Sequence, residues 1–382
     1  MAAGSDAAAA LRAALRANMR KSVDRSKALL RAHVVTVSAG DAAGTSTHVA
    51  MMGDHLCFDA KSVAVWLTDV MDVITAAVPP GDDSGAVDAS ALAAALAAKR
   101  ARPMLPFVDW LTRVPSAEAL ALPERTPGAS IKLPQVDPPL TPDALIQTQL
   151  QTVMVELPPA DVAALHGASK ARGLRLNAPL MVSFLAAVGD VARSQEPARG
   201  GHGAAAAVPI RTVCAADMRG YLTPPLDTDF MNNSASIVPF ATTLPAATGD
   251  SGATTAAQLW ALATEGQAEL AKDLASVEAF RLSDITRRNA WGELIAWLDI
   301  PCLWSNVGFV AAKGVTNVEV HVHGPPMNPM LSAHPVACPV AGGSGTRLNV
   351  TITYAPGFYD KAIPEAVAAN FRRNIAALIA SP

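Results

Sequence analysis

The sequence predicts a mixed α/β fold, an α+β sandwich, on three observations. Alternating β-branched runs recur along the chain, as in 34–52 (VVTVSAGDAAGTSTHVAMM) and 347–355 (RLNVTITYA). Segments with apolar residues three and four apart stand between them, as in 62–74 (SVAVWLTDVMDVI) and 364–380 (PEAVAANFRRNIAALIA). The chain has 382 residues, 51% of them apolar, which suits two domains or one large pseudo-symmetric unit.

Charge excludes some classes of partner. The net charge is −3 and only 16% of residues are charged, so neither nucleic acid nor an anionic membrane surface is expected as a ligand. No uninterrupted apolar stretch reaches the length of a membrane span. Cys57, Cys214, Cys302 and Cys338 are scattered, without a C-x-x-C pair or a zinc pattern, and read as reduced thiols. The expected location is therefore the cytoplasm. Residues 1–30 read as an amphipathic helix or tail, with Leu11, Leu15 and Met19 on one stripe. Their basic, acid-poor character would also suit an organelle transit peptide.

The elements are expected in the following order. Residues 31–112 form a first half. It opens with a hairpin over 34–52, then the polar string GDHLCFDAKS, then a helix with Val63, Trp66, Leu67, Val70 and Ile74 on one face. A loop over 75–90 leads to a capped Ala-rich helix. Residues 113–148 are rich in proline and read as an extended connector. Residues 149–382 form a second half. QTVMVELP is a strand, Pro158 or Pro159 opens a helix that Gly173 ends, and NAPLMVSFLAAVGDVARS is a largely buried helix. VPIRTVCAADMRGYL is a strand feeding a loop, 241–257 a polar linker, and AQLWALATEGQAELAKDL a helix. PCLWSNVGFV, NVEVHVHG and RLNVTITYA are strands, and an amphipathic helix closes the chain.

The informative string is Asp54-His55-Leu56-Cys57-Phe58-Asp59-Ala60-Lys61-Ser62. It lies between a strand and a helix, where a side chain can be aimed at a cleft. Here the sequence resembles the superfamily of chloramphenicol acetyltransferase, peptide-synthetase condensation domains and alcohol acetyltransferases, whose signature is H-H-x-x-x-D-G. His55 matches the second His and Asp59 the Asp, while Asp54 replaces the first His and Ala60 the Gly. Three later strings extend the resemblance in the expected order. Ala216 to Leu222, Pro224-Pro225 and Met231 to Ser234 look like a D-x-R … P-P … G-N stretch. Leu303 to Gly308 resembles an S-N-x-G strand end, and Leu348 to Tyr354 with the terminal helix matches the close of the second half.

The resemblance implies two acetyltransferase-like halves around a central channel. Relatives carry more chain before the motif than the 54 residues found here, so the first half is expected to be reduced or the product truncated. The resemblance also implies acyl transfer from acyl-CoA, acetyl-CoA first, to a small alcohol, closest to the alcohol acetyltransferase branch. Acyl-CoA would be a co-substrate, and no permanently bound cofactor is expected. Histidine suits a base near neutral pH, so His55 would take the acceptor proton. Asp59 would be structural and paired with Arg219. Ser305, Asn306 and the Gly308 N–H are candidates for steadying the oxyanion. The alternatives are a carrier-protein-dependent condensation domain and a silent or truncated scaffold of the same fold.

Each residue also has a plainer reading. His55 could be a loop histidine, Asp59 a helix N-cap, Arg219 a solvated charge, and Ser305-Asn306 a turn closing a strand. His321 and His323 alternate on one strand face, but no third ligand accompanies them, so no metal is expected. Residues 342–345 (GGSG) read as a hairpin or loop and not a phosphate cradle. Cys57, two residues from His55, is expected to be buried away from it.

Overall fold

The computed structural model describes residues 30–38, 45–53, 59–77, 89–100, 130–136, 149–195, 207–221, 235–246, 253–274, 300–322, 330–341 and 344–381. The chain divides into two compact units, Met1–Asp109 with Leu226–Ser234, and Trp110–Pro225 with Ala235–Pro382.

Among the described residues, the first unit holds a hairpin and two helices. β1 (Leu30–Ser38) pairs antiparallel with β2 (Thr45–Gly53), from Leu30 opposite Gly53 to Ser38 opposite Thr45. α1 (Ala60–Ala77) follows β2 and packs against α2 (Ala89–Arg100). Of the expected apolar stripe on α1, Val63, Trp66, Leu67 and Val70 are half-buried and Ile74 is exposed.

The second unit is a mixed seven-stranded sheet carrying helices. Its strands are β3 (Gln151–Leu157), β4 (Val208–Asp217), β5 (Ala235–Leu244), β6 (Cys302–Trp304), β7 (Gly308–Phe309), β8 (Leu331–Pro339) and β9 (Thr346–Tyr354). The order is β3-β9-β8-β6-β4-β5, with β7 beside β8 where β6 ends. β6 pairs parallel with β4 and β8, and β7 pairs parallel with β8. The other pairings are antiparallel.

Among the described residues, four helices pack on this sheet: α3 (Pro159–Ala171), α4 (Asn177–Gln195), α5 (Ala256–Leu274) and α6 (Ala362–Ala380). α3 begins at proline, whose missing N–H costs nothing in a first turn. It stops at Gly173, which takes φ 70 and donates its N–H to the Lys170 carbonyl. α4 is the central helix: every residue from 178 to 193 is buried, between α5, α6 and strands β4 and β6. It buries two charged groups, Asp190 and Arg193. Arg193 bonds Asp190 within its own helix, and Arg373 of α6 bonds the other Asp190 oxygen at 2.6 Å.

Several expectations change. The polar linker expected over 241–257 is in part β5, which runs to Leu244, and in part α5, which starts at Ala256. β5 and β8 were not anticipated, because Pro239 interrupts one and Pro335 and Pro339 the other, and proline argues against a strand. PCLWSNVGFV forms two short strands separated by residues 305–307. Of NVEVHVHG, the described part (317–322) runs beside β9 outside the ladder, and the Asn349 side chain ties it down by bonding Asn317 Oδ1 and the Val318 carbonyl. Around the GGSG stretch, β8 and β9 pair as a hairpin, with Pro339 opposite Thr346.

Candidate functional site

The motif string occupies the connection from β2, which ends at Gly53, to α1, which begins at Ala60. Asp54, His55 and Cys57 lie outside the described residues. Asp59 is described and buried. Its carboxylate accepts the Ser62 N–H at 2.7 Å, and its carbonyl accepts the Val63 N–H at 3.2 Å. Asp59 therefore caps α1: the first-turn donors find a carboxylate where the helix dipole favours negative charge. That fixes the C-terminal end of the H-x-x-x-D spacing.

Arg219 follows β4 in a single 3-10 turn, Arg219–Tyr221. Its side chain is fully buried, and Nη1 donates to Asp217 Oδ1 at 2.8 Å. The same oxygen accepts the Arg219 backbone N–H at 3.1 Å. Arg219 is thus a held, desolvated charge and not a solvated one. Asp59 belongs to the first unit and Arg219 to the second.

The Ser305–Gly308 turn is built from the ladder around it. Leu331 donates its N–H to the Pro301 carbonyl, and Ser305 and Val307 donate theirs to the carbonyls of Ala333 and Pro335. In a parallel ladder, residue 335 would next donate to the carbonyl of residue 305. Residue 335 is proline and has no N–H. The ladder opens there. Trp304 stands opposite Ala333 and Gly308 opposite Val336, so four steps on one side face three on the other, and 305–307 bulge. Gly308 closes the turn at φ 86, a conformation that favours glycine.

Inside the turn, Asn306 Nδ2 donates to Asn177 Oδ1 at 2.7 Å and Asn306 Oδ1 accepts the Gly308 N–H at 2.8 Å. That donor is committed within the turn. The Ser305 hydroxyl is half-buried and has no hydrogen-bond partner among the described residues. Alternation along the strand turns Ser305 away from the helix-packed face, where Trp304 meets Phe184.

Other candidates resolve into local pairs. His321 Nε2 lies 3.2 Å from Glu319 Oε2, and His323 is outside the described residues. Among the described residues no group of three or more metal-ligating side chains gathers. Burial pushes the Cys302 thiol up to about 12 and raises Cys214 and Cys338 as well, so these cysteines stay protonated and are poor nucleophiles. Sequence reasoning missed Asn177, Pro335 and His334. The last is a buried β8 histidine with Nε2 3.0 Å from Ser332 Oγ.

The trichothecene 15-O-acetyltransferase from Fusarium sporotrichioides is similar to this chain with a TM-score of 0.60 at 11% identity, 95% of this chain lying on 74% of that one. The fold is that of the acetyltransferases and condensation domains. The epimerization domain from the third module of tyrocidine synthetase B matches at a TM-score of 0.54 and 14% identity, over 92% of this chain and 72% of that one. The cyclization-docking bidomain of the EpoB peptide synthetase from Sorangium cellulosum matches at 0.51 and 15%, over 99% and 68%. No protein-family model matches the chain, and no curated protein matches it by sequence. The shared acetyltransferase-like fold therefore stands on structure. Among the described residues no helix is long and apolar enough to cross a membrane.

Proposed function

We propose that this chain is an O-acyltransferase that moves an acyl group, acetyl first, from CoA to a small alcohol, in the manner of the alcohol acetyltransferases. The observation that carries this reading is the buried Asp59 carboxylate capping α1, four residues after His55, in a chain with the acetyltransferase fold. His55 takes the hydroxyl proton as the alcohol oxygen attacks the thioester carbonyl carbon. The carbon–sulfur bond then breaks, and the CoA thiolate leaves with the proton that His55 returns. The chain's own nucleophile is not needed, because both substrates meet in one complex.

Two further assignments belong to this reading. The Ser305 hydroxyl donates to the developing oxyanion, supported by its lack of another hydrogen-bond partner among the described residues, and Asn306 shapes the turn that carries it. Asp59 is structural and keeps the motif in register by capping α1, supported by the 2.7 Å bond that its carboxylate accepts from the Ser62 N–H. Neither metal nor bound cofactor takes part.

A carrier-protein donor is the second reading, favoured by the two peptide-synthetase domains among the similar structures. Thermal melting separates the two. Under the first, acetyl-CoA at about a hundred times its dissociation constant adds about 2.7 kcal/mol of stability and raises the melting temperature by a few degrees. Under the second, free acetyl-CoA leaves melting unchanged and an acyl-loaded carrier shifts it. A silent scaffold responds to neither.

A further inference from the structure

Asparagine at a helix start ordinarily turns its side-chain oxygen back onto its own backbone N–H groups. Asn177, the first residue of α4, does not. Its Oδ1 accepts the Trp304 indole Nε1–H at 2.8 Å and the Asn306 Nδ2–H at 2.7 Å, across more than 120 residues of sequence. Both lone pairs of that oxygen are thereby used.

The donor-only indole fixes how the whole chain of bonds runs. Trp304 Nε1 can only donate, so the Asn177 atom facing it is the oxygen. The Asn306 atom that reaches the same oxygen must then be its NH2. The remaining Asn306 atom is its oxygen, and it accepts the Gly308 N–H at 2.8 Å. The orientation of two amides and the fate of one backbone donor follow from a single buried indole.

We propose that Asn177 is a positioning residue for acyl transfer. Through Asn306 it sets the shape of the Ser305–Gly308 turn and holds the Ser305 hydroxyl where the oxyanion forms. This rests on the acyltransfer reading above and adds to it a residue on another element. The turn needs such a tether, because Pro335 removes the ladder bond that would otherwise hold the Ser305 carbonyl. One end of the tether is α4, buried at every position from 178 to 193, so the turn is referenced to a rigid body.

The test is the kinetics of acetyl-CoA with ethanol, butanol and octanol for the wild type, Asn177→Ala, Asn177→Asp, Asn306→Asp and Trp304→Phe, with melting temperatures alongside. Asn177→Asp keeps an oxygen that accepts both donors, so it should hold kcat to within about threefold of the wild type. Asn177→Ala should lower kcat by about tenfold or more, with KM for acetyl-CoA within about threefold. Asn306→Asp sets two oxygens against each other and should lose kcat likewise, which keeps the proposal testable if the alanine variant fails to fold. Trp304→Phe removes the donor that orients Asn177, so it should lower the melting temperature and also lower kcat, with KM for acetyl-CoA within about threefold. Wild-type kcat in Asn177→Ala or Asn306→Asp would overturn the positioning role and leave the acyltransfer reading standing. No turnover by the wild type would instead overturn that reading and this role with it.

Discussion

Val307 donates its backbone N–H to the carbonyl of Pro335 at 3.0 Å, and Pro335 has no N–H to return toward the other strand. One proline in an inner strand thus opens the sheet at the Ser305–Val307 turn, while β8 keeps its antiparallel pairing with β9. Replacing it should close that gap. Pro335→Ala restores a donor opposite the Ser305 carbonyl, so the ladder can run on through the turn. Stability should change by less than about 1 kcal/mol, since a gained hydrogen bond offsets the lost rigidity of proline. Acyl transfer should fall about tenfold. Denaturant unfolding and kcat on one preparation check both.

Asp59 caps α1, and its charge can be separated from its oxygen by substitution. Asp59→Ala removes the acceptor of the Ser62 N–H and should cost about 1–2 kcal/mol from the cap alone. Asp59→Asn keeps the cap and removes the charge. Asn should therefore recover nearly all of that loss. Urea midpoints of the three proteins decide it.

Asp190 is a buried carboxylate held by two arginines. It is bonded by Arg193, whose side chain is only 2% exposed, and by Arg373, which is 47% exposed. Asp190→Ala should destabilise by about 3–5 kcal/mol, because it leaves the Arg193 guanidinium buried without its carboxylate. Arg373→Ala should cost less than about 1 kcal/mol, since that side chain is half in water. Chemical unfolding of the two variants checks the contrast.

Alkaline pH should weaken the fold through its buried thiols. Burial raises the Cys302 thiol from 9.0 to about 12. Above pH 9 the unfolded chain releases that proton and the native chain keeps it, so stability is full below 9 and is lost as pH rises toward 12. The slope is at most about 1.4 kcal/mol per pH unit for one thiol. Cys302→Ala should flatten the fall between pH 9 and 11 relative to the wild type, as melting temperatures across that range would report.

What the sequence disclosed follows from how local each signal is. α4 could be read because sixteen successive buried positions need an apolar run, and α3 because proline opens it and Gly173 stops it. The strand-loop-helix setting of Asp59 was legible for the same reason. β8 was not, because two prolines and a histidine contradict strand chemistry, and the reason they are tolerated lies in the neighbouring strand. The link from Asn177 to Asn306 had no signal at all. It joins residues 129 apart in sequence, and neither asparagine is unusual in its own neighbourhood. The spacing of His55 and Asp59 carried the functional idea and the S-N-x-G string named Ser305 to Gly308, whereas the tether from Asn177 emerged only from the hydrogen bonds.

The central claim is that His55 drives acyl transfer from CoA. It is tested most directly by release of free CoA thiol from acetyl-CoA with a panel of alcohols, for the wild type and for His55→Ala of equal melting temperature. The account predicts alcohol-dependent release by the wild type and a loss of about a hundredfold or more in the variant, within the usual worth of a positioned general base. Equal release by both proteins, or none by the wild type with any alcohol, would contradict it.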